Sequence, residues 1–172
     1  MKLAIRRLDS SGRYETVITR DDGVSFRIKG VAHGFAIPHD LAHFLVEKAL
    51  RLHQGFWGSI ADGAVFPSMS HAAGRRKPKA TERSNTVLKA HARALTEAEV
   101  LVRIFNDTIE QGHDERSPAL HGQLKERWAA PGRRPRDISQ ESIAEVFASY
   151  KEMLLKWRSV PVGGTLHLLW PN

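Results

Sequence analysis

Between Pro38 and Glu47 the chain reads Pro-His-Asp-Leu-Ala-His-Phe-Leu-Val-Glu, which sets two imidazoles four residues apart with carboxylates beside and beyond them. On a helix, residues i and i+4 share a face, so His39 and His43 can present two ring nitrogens to one divalent metal ion. Zinc or another divalent metal is the cofactor this spacing suggests. Read as His-Asp-x-x-His, the segment is also a shortened version of the zincin pattern, with Asp40 in place of the glutamate that activates water. Aspartate is one methylene shorter, which weakens it as a general base for metal-bound water. Glu47 stands about 12 Å along the axis from His39, so His39, His43 and Glu47 cannot all ligate without strain. A further ligand must come from elsewhere in the chain, with His33 and His71 as donors of the right type.

Two other readings compete. In a structural reading, Asp40 sits in the first helical turn where the dipole favours a carboxylate, and Glu47 pairs with His43 and Arg51 at i, i+4 spacing. In an acid–base reading, His39 or His43 shuttles a proton and Asp40 or Glu47 orients it. The second lacks an obvious nucleophile, since Ser59, Ser68 and Ser70 sit in no recognisable elbow.

The elements that must position these residues can be read from periodicity. Val24, Phe26 and Ile28 alternate with Ser25, Arg27 and Lys29, the period of a strand with one wet face. The segment from Tyr14 to Arg20 precedes it, and Asp21-Asp22-Gly23 joins the two as a hairpin. A three-residue loop with Gly23 in the left-handed region pairs Ile18 with Phe26 and Thr16 with Ile28; a two-residue loop would turn Ile18 outward. Residues 2–8 form another strand, and residues 165–170 a terminal one, with Leu166, Leu168 and Trp170 on one side. The His helix should span about 38–53, with Pro38 in its first turn and Gly55 as its stop. It is apolar on two sides: Leu41, Phe44, Leu45, Ala49 and Leu52 on one, Val46 and Leu50 on the other. That pattern places it between a sheet and a second helical layer, with the histidines on the seam.

Phe56 to Asp62 suggests a short helical turn, and residues 63–84 a long basic loop. An apolar stripe from Leu88 to Ile109 predicts a helix over about 86–111, which a Thr96/Glu99 capping box would split. Shorter helices follow at about 120–128 and 140–158, the last capped by Ser139. The expected fold is α+β in one domain: an N-terminal antiparallel meander joined by the C-terminal strand, covered on one side by four to five helices.

The blocks His39-Asp40-Leu41-Ala42-His43-Phe44-Leu45-Val46-Glu47 and Gly55-Phe56-Trp57-Gly58, with the ending Trp157 to Pro171, resemble a family of uncharacterised bacterial proteins. Those proteins carry HDLxHxxVE, a GFxG turn and a short terminal strand. The likeness covers about a quarter of the chain, excludes the basic segment from Arg75 to Arg83, and implies a bacterial origin but no activity.

The formal charge of +7 is uneven. Arg75, Arg76, Lys77, Lys79 and Arg83 crowd one segment, and Arg133, Arg134 and Arg136 another, near Trp128. Such clusters suit phosphate contacts and make nucleic acid or another polyanion the alternative partner. No recognition helix, zinc finger or RNP motif accompanies them, so the alternative to binding is a solvated charge run. The chain has no cysteine, which rules out disulfides and thiolate metal sites. Its first residues are charged, unlike a signal peptide, and no stretch is long and apolar enough for a membrane span. A cytoplasmic protein is the expectation.

Overall fold

The computed structural model describes residues 1–32, 36–128 and 138–171. Strands β1 (Lys2–Arg7), β2 (Arg13–Thr19) and β3 (Ser25–Val31) form an antiparallel meander. Helices α1 (His39–Ala49) and α2 (Phe56–Ala61) follow, then β4 (Ser70–Ala73), α3 (Ala80–Glu110), α4 (Pro118–Trp128), α5 (Gln140–Ser159) and β5 (Thr165–Leu169). The sheet order is β4-β3-β2-β1-β5, all neighbours antiparallel. This is the expected α+β arrangement with one strand more.

The hairpin register follows from its turn. Gly23 adopts φ +79, the left-handed conformation a three-residue loop requires, and Ile18 faces Phe26 while Thr16 faces Ile28. Leu3, Ile5, Tyr14, Ile18, Phe26 and Ile28 are all buried on the covered face. The terminal strand joins β1, setting Leu166 opposite Ile5 and Leu168 opposite Leu3, so the two ends of the chain share one core. The other face, with Lys2, Arg6, Arg27, Lys29 and His167, is exposed to solvent.

Helix α1 packs against both α3 and α5 on the covered face, and of its residues only His39 and Lys48 are exposed. A helix apolar on two sides occupies such a central position. Its ends differ from the sequence expectation. Pro38 precedes the first turn as N-cap, making His39 the first helical residue. The helix stops at Ala49 instead of about residue 53, because Arg51 turns left-handed (φ 52) and the Leu52 N–H closes onto the Glu47 carbonyl at 2.8 Å. That six-to-one bond and the Arg51 N–H to Lys48 carbonyl bond make a Schellman ending without glycine.

The region expected as a long basic loop, residues 63–84, is interrupted by regular elements. Ser70–Ala73 adds β4 to the free edge of β3, and α3 begins at Ala80, so the basic connection is only Gly74 to Lys79. Alternation cannot reveal β4, which is four exposed residues long and held at the edge of β3 by pairing. Helix α3 runs unbroken through Thr96, whose hydroxyl donates to the Ala92 carbonyl at 3.0 Å. Ala90, Ala92, Ala94, Leu95, Glu97 and Ala98 are strong helix formers, and their summed preference overrides the local capping signal. Ser139 caps α5 as expected, its Oγ accepting the Ser142 N–H at 3.2 Å.

Candidate metal centre

The first turns of α1 place His39 at the solvent edge and His43 one turn deeper, 5% exposed. Their rings meet edge to face with centroids 4.6 Å apart, and their Nε2 atoms lie 3.2 Å apart. Helix α3 crosses α1 and brings Glu99 to the same point. One Glu99 oxygen lies 3.0 Å from His43 Nε2 and the other 3.6 Å from His39 Nε2. These three side chains offer ligand atoms within 4.8 Å of one another. A tetrahedral ion with bonds near 2.05 Å spaces its ligands by about 3.3 Å, close to the 3.2 Å between the two Nε2 atoms, and Glu99 meets the two imidazoles with one oxygen each.

Glu47 lies on the far side of His43. Its side chain is wholly buried and accepts three hydrogen bonds: from His43 Nδ1 at 2.8 Å, from the Phe56 N–H at 2.8 Å and from the Trp57 N–H at 3.0 Å. The last two are the first N–H groups of α2, so the carboxylate caps that helix at its positive end. Gly55, the N-cap of α2, makes the approach possible: a Cβ there would stand 2.5 Å from the Glu47 carboxyl carbon. With Nδ1 engaged by a carboxylate, the remaining nitrogen of His43 is Nε2, directed at His39 and Glu99. Such a carboxylate–histidine pair is the outer support that metal-ligating imidazoles commonly have.

The electrostatics follow from this enclosure. Burial alone would lower the His43 pKa, but the hydrogen bonds to Glu47 and Glu99, with their charges, override it and raise it to about 9. Hydrogen bonds from His39 and His43 hold the Glu99 carboxyl well below the usual range, although more than half of its side chain faces solvent. In the absence of an ion, therefore, His43 is an imidazolium held between two carboxylates.

The remaining residues named from sequence divide clearly. Asp40, expected beside the imidazoles, is turned to the sheet: it accepts from Thr16 Oγ1 at 2.8 Å and Tyr14 Oη at 3.2 Å. Burial and the Asp40 charge both raise the Tyr14 pKa. A zincin-type base is thus missing from the metal side, because the position after the first helical residue points across the helix from it. Glu47 orients His43 and is separated from His39 and Glu99 by the imidazole. His71 lies at the sheet edge, its Nε2 2.8 Å from the Gly74 carbonyl, and takes no part in the cluster; His33 falls outside the described residues. Glu99, the carboxylate completing the group, borders the apolar stripe of α3 beside Leu95, Ala98 and Val102, and that misplaced charge is its one sequence signal.

Ser59 is fully buried and meets His91 Nδ1 at 3.0 Å, with Asp62 3.8 Å from the other His91 nitrogen. The string resembles a catalytic triad in composition, but a serine with no exposed surface offers no attacking oxygen. A recess of about 580 Å³ lined by Phe44, Leu45, Lys48, Met153, His167 and Leu168 contains none of the cluster.

Among the basic residues, Arg75, Arg76, Lys77 and Lys79 lie in the short connection from β4 to α3, and Arg83 on the first turn of α3. Arg133, Arg134 and Arg136 lie outside the described residues. Among the described residues, no helix is long and apolar enough to cross a membrane. Comparison with protein-family models, with curated proteins and with solved structures finds no match.

Proposed function

We propose that this protein binds a divalent metal ion through His39, His43 and Glu99, with Glu47 holding His43 in the ligating orientation. The observation that carries the reading is the convergence of three ligand atoms within 4.8 Å of one another, backed by a buried carboxylate on the opposite nitrogen of the deepest one. Two histidines and one carboxylate suit zinc, and equally iron or manganese, with at least one coordination position left for water. His39 and Glu99 are about half exposed, so that position faces solvent. Sites closed by protein on every side serve structure, whereas an open position lets a metal polarise a ligand or lower the pKa of bound water. What supports a binding role over a hydrolytic one is that, among the described residues, the carboxylates nearest the cluster are all engaged: Glu99 would ligate, Glu47 is saturated by three donors and Asp40 faces the sheet.

Elemental analysis of untagged protein purified without chelator tests the reading. Near-stoichiometric zinc, iron, nickel or manganese is expected, with His43→Ala and Glu99→Ala each abolishing it. Metal-free protein that neither binds these ions in calorimetry nor gains thermal stability from them would leave the cluster as a half-buried ion-pair network.

A further inference from the structure

We infer that the start of α3, with Arg20, forms a second site, one for a phosphate monoester. A recess of about 360 Å³ opens between the β2–β3 turn, the end of α2 and the start of α3; Arg20, Asp22, Asp62, Gly63, Lys77 and Arg83 are among the residues that line it. The Arg20 side chain is only 9% exposed. Its Nε and Nη2 donate to Asp22 at 3.4 and 3.0 Å, and its guanidinium carbon sits 5.0 Å from the centre of the Phe26 ring. Nη1 is buried and has no hydrogen-bond partner among the described residues, and Arg20 is one of the residues lining this recess. Burying a guanidinium N–H without an acceptor is costly, and an anion supplies the missing acceptor.

The helix beginning at the same place is prepared for negative charge. α3 is 31 residues long and has no side-chain cap. Its N-cap is Lys79 in the left-handed conformation (φ 59), a cation where serine or aspartate is usual. The Ala80 N–H closes onto the Lys77 carbonyl and the Arg83 N–H onto the Lys79 carbonyl, which leaves the Thr81 and Glu82 N–H groups without a helical partner. Free N–H groups and the positive end of a long helix together bind phosphate well.

The recess also holds aspartates, each with a partner of its own. Asp22 pairs with Arg20, Asp21 lies 3.1 Å from the Met1 α-amino group, and Asp62 lies 3.8 Å from His91 Nε2. No ion pair engages Lys77 or Arg83 among the described residues, so these two cations remain for a ligand. A recess of this size admits a phosphoryl group on a small organic body and excludes a nucleic-acid duplex. The site is independent of the metal centre, since Ala80 and Glu99 are about 28 Å apart along α3.

Inorganic phosphate is the probe, followed by amide and arginine side-chain NMR of the full chain. Saturable shifts of the Thr81 and Glu82 amides and of the Arg20 side chain are expected. Arg83→Gln and Lys77→Ala, both at exposed positions, should each weaken binding several-fold. Arg20→Lys, which keeps the charge but removes Nη1, should weaken it at least tenfold. Lys89→Ala, the same loss of charge more than two turns along α3, should change nothing. Shifts absent from Thr81 and Glu82, or an effect of Lys89→Ala equal to that of Arg83→Gln, would overturn the site in favour of general surface charge. A single-stranded oligonucleotide lacking terminal phosphates should not displace the phosphate; an oligonucleotide that binds these cations more tightly than phosphate would reassign them to a phosphodiester and overturn the monoester site.

Discussion

Gly55 and Glu47 are placed so that a methyl group on the first would collide with the carboxylate of the second, its Cβ falling 2.5 Å from the carboxyl carbon and 2.7 and 2.8 Å from the oxygens. The backbone of Gly55 is ordinary (φ −70), so the glycine is required by this approach and not by conformation. Gly55→Ala should therefore destabilise the protein by about 1–3 kcal/mol, the range for overpacking a filled site. It should also weaken metal binding, because Glu47 must move to make room. Urea unfolding and metal titration of the one variant measure both effects; a stable variant with unchanged metal affinity would sever the link.

Glu47→Gln keeps the size of the side chain but replaces a charged acceptor by an amide with only one acceptor atom for three donors. Metal affinity should fall roughly 10–100-fold, as for other outer-shell partners of ligating histidines. Glu47→Ala leaves two N–H groups of α2 and the buried Nδ1 of His43 without an acceptor, and should cost about 3–5 kcal/mol. Calorimetric metal titration and chemical unfolding separate the two consequences.

Asp40→Asn tests whether the residue belongs to the site or to the sheet. Its carboxylate accepts from Tyr14 and Thr16, so the amide must turn a donor toward one of them at a cost of about 1–3 kcal/mol. Metal content should be unchanged. Loss of metal with wild-type stability would instead restore Asp40 to the centre.

The raised pKa of His43 sets two pH dependences. In metal-free protein the folded value of about 9 lies above the ordinary value of 6.5, so the stabilisation is fully present below pH 6.5 and is lost as pH rises through 9. The groups facing the imidazole are His39, Glu47 and Glu99, and the two carboxylates favour its charged form. Urea midpoints of chelator-treated protein between pH 6.5 and 9.5 should fall, and the fall should vanish in His43→Gln. Metal binding at pH 7 must also expel a proton from His43, so binding should release about one proton and tighten with rising pH toward 9. Calorimetry in buffers of different ionisation enthalpy counts that proton.

Much of this architecture was legible along the chain. Alternation at Val24-Phe26-Ile28 and Leu166-Leu168-Trp170 marked strands, and the demand for positive φ at Gly23 selected the hairpin register that sets Ile18 against Phe26. The two-sided apolar pattern of residues 41–50 placed α1 at the centre, and the spacing of His39 and His43 put both imidazoles on one seam. These are periodic or local signals, and the chain carries them without reference to a partner. Which carboxylate meets which imidazole was not of that kind. Asp40 adjoins His39 in sequence yet faces Tyr14 and Thr16 across the helix, while Glu99, 56 residues beyond His43, arrives because α3 packs over α1. The exposed strand β4 and the unbroken course of α3 through Thr96 likewise depend on pairing and on summed helix preference, not on any one signal. Helical and strand periods specify the faces of an element; only the packing of one element on another decides what those faces meet, and with it where the ligands of this centre converge.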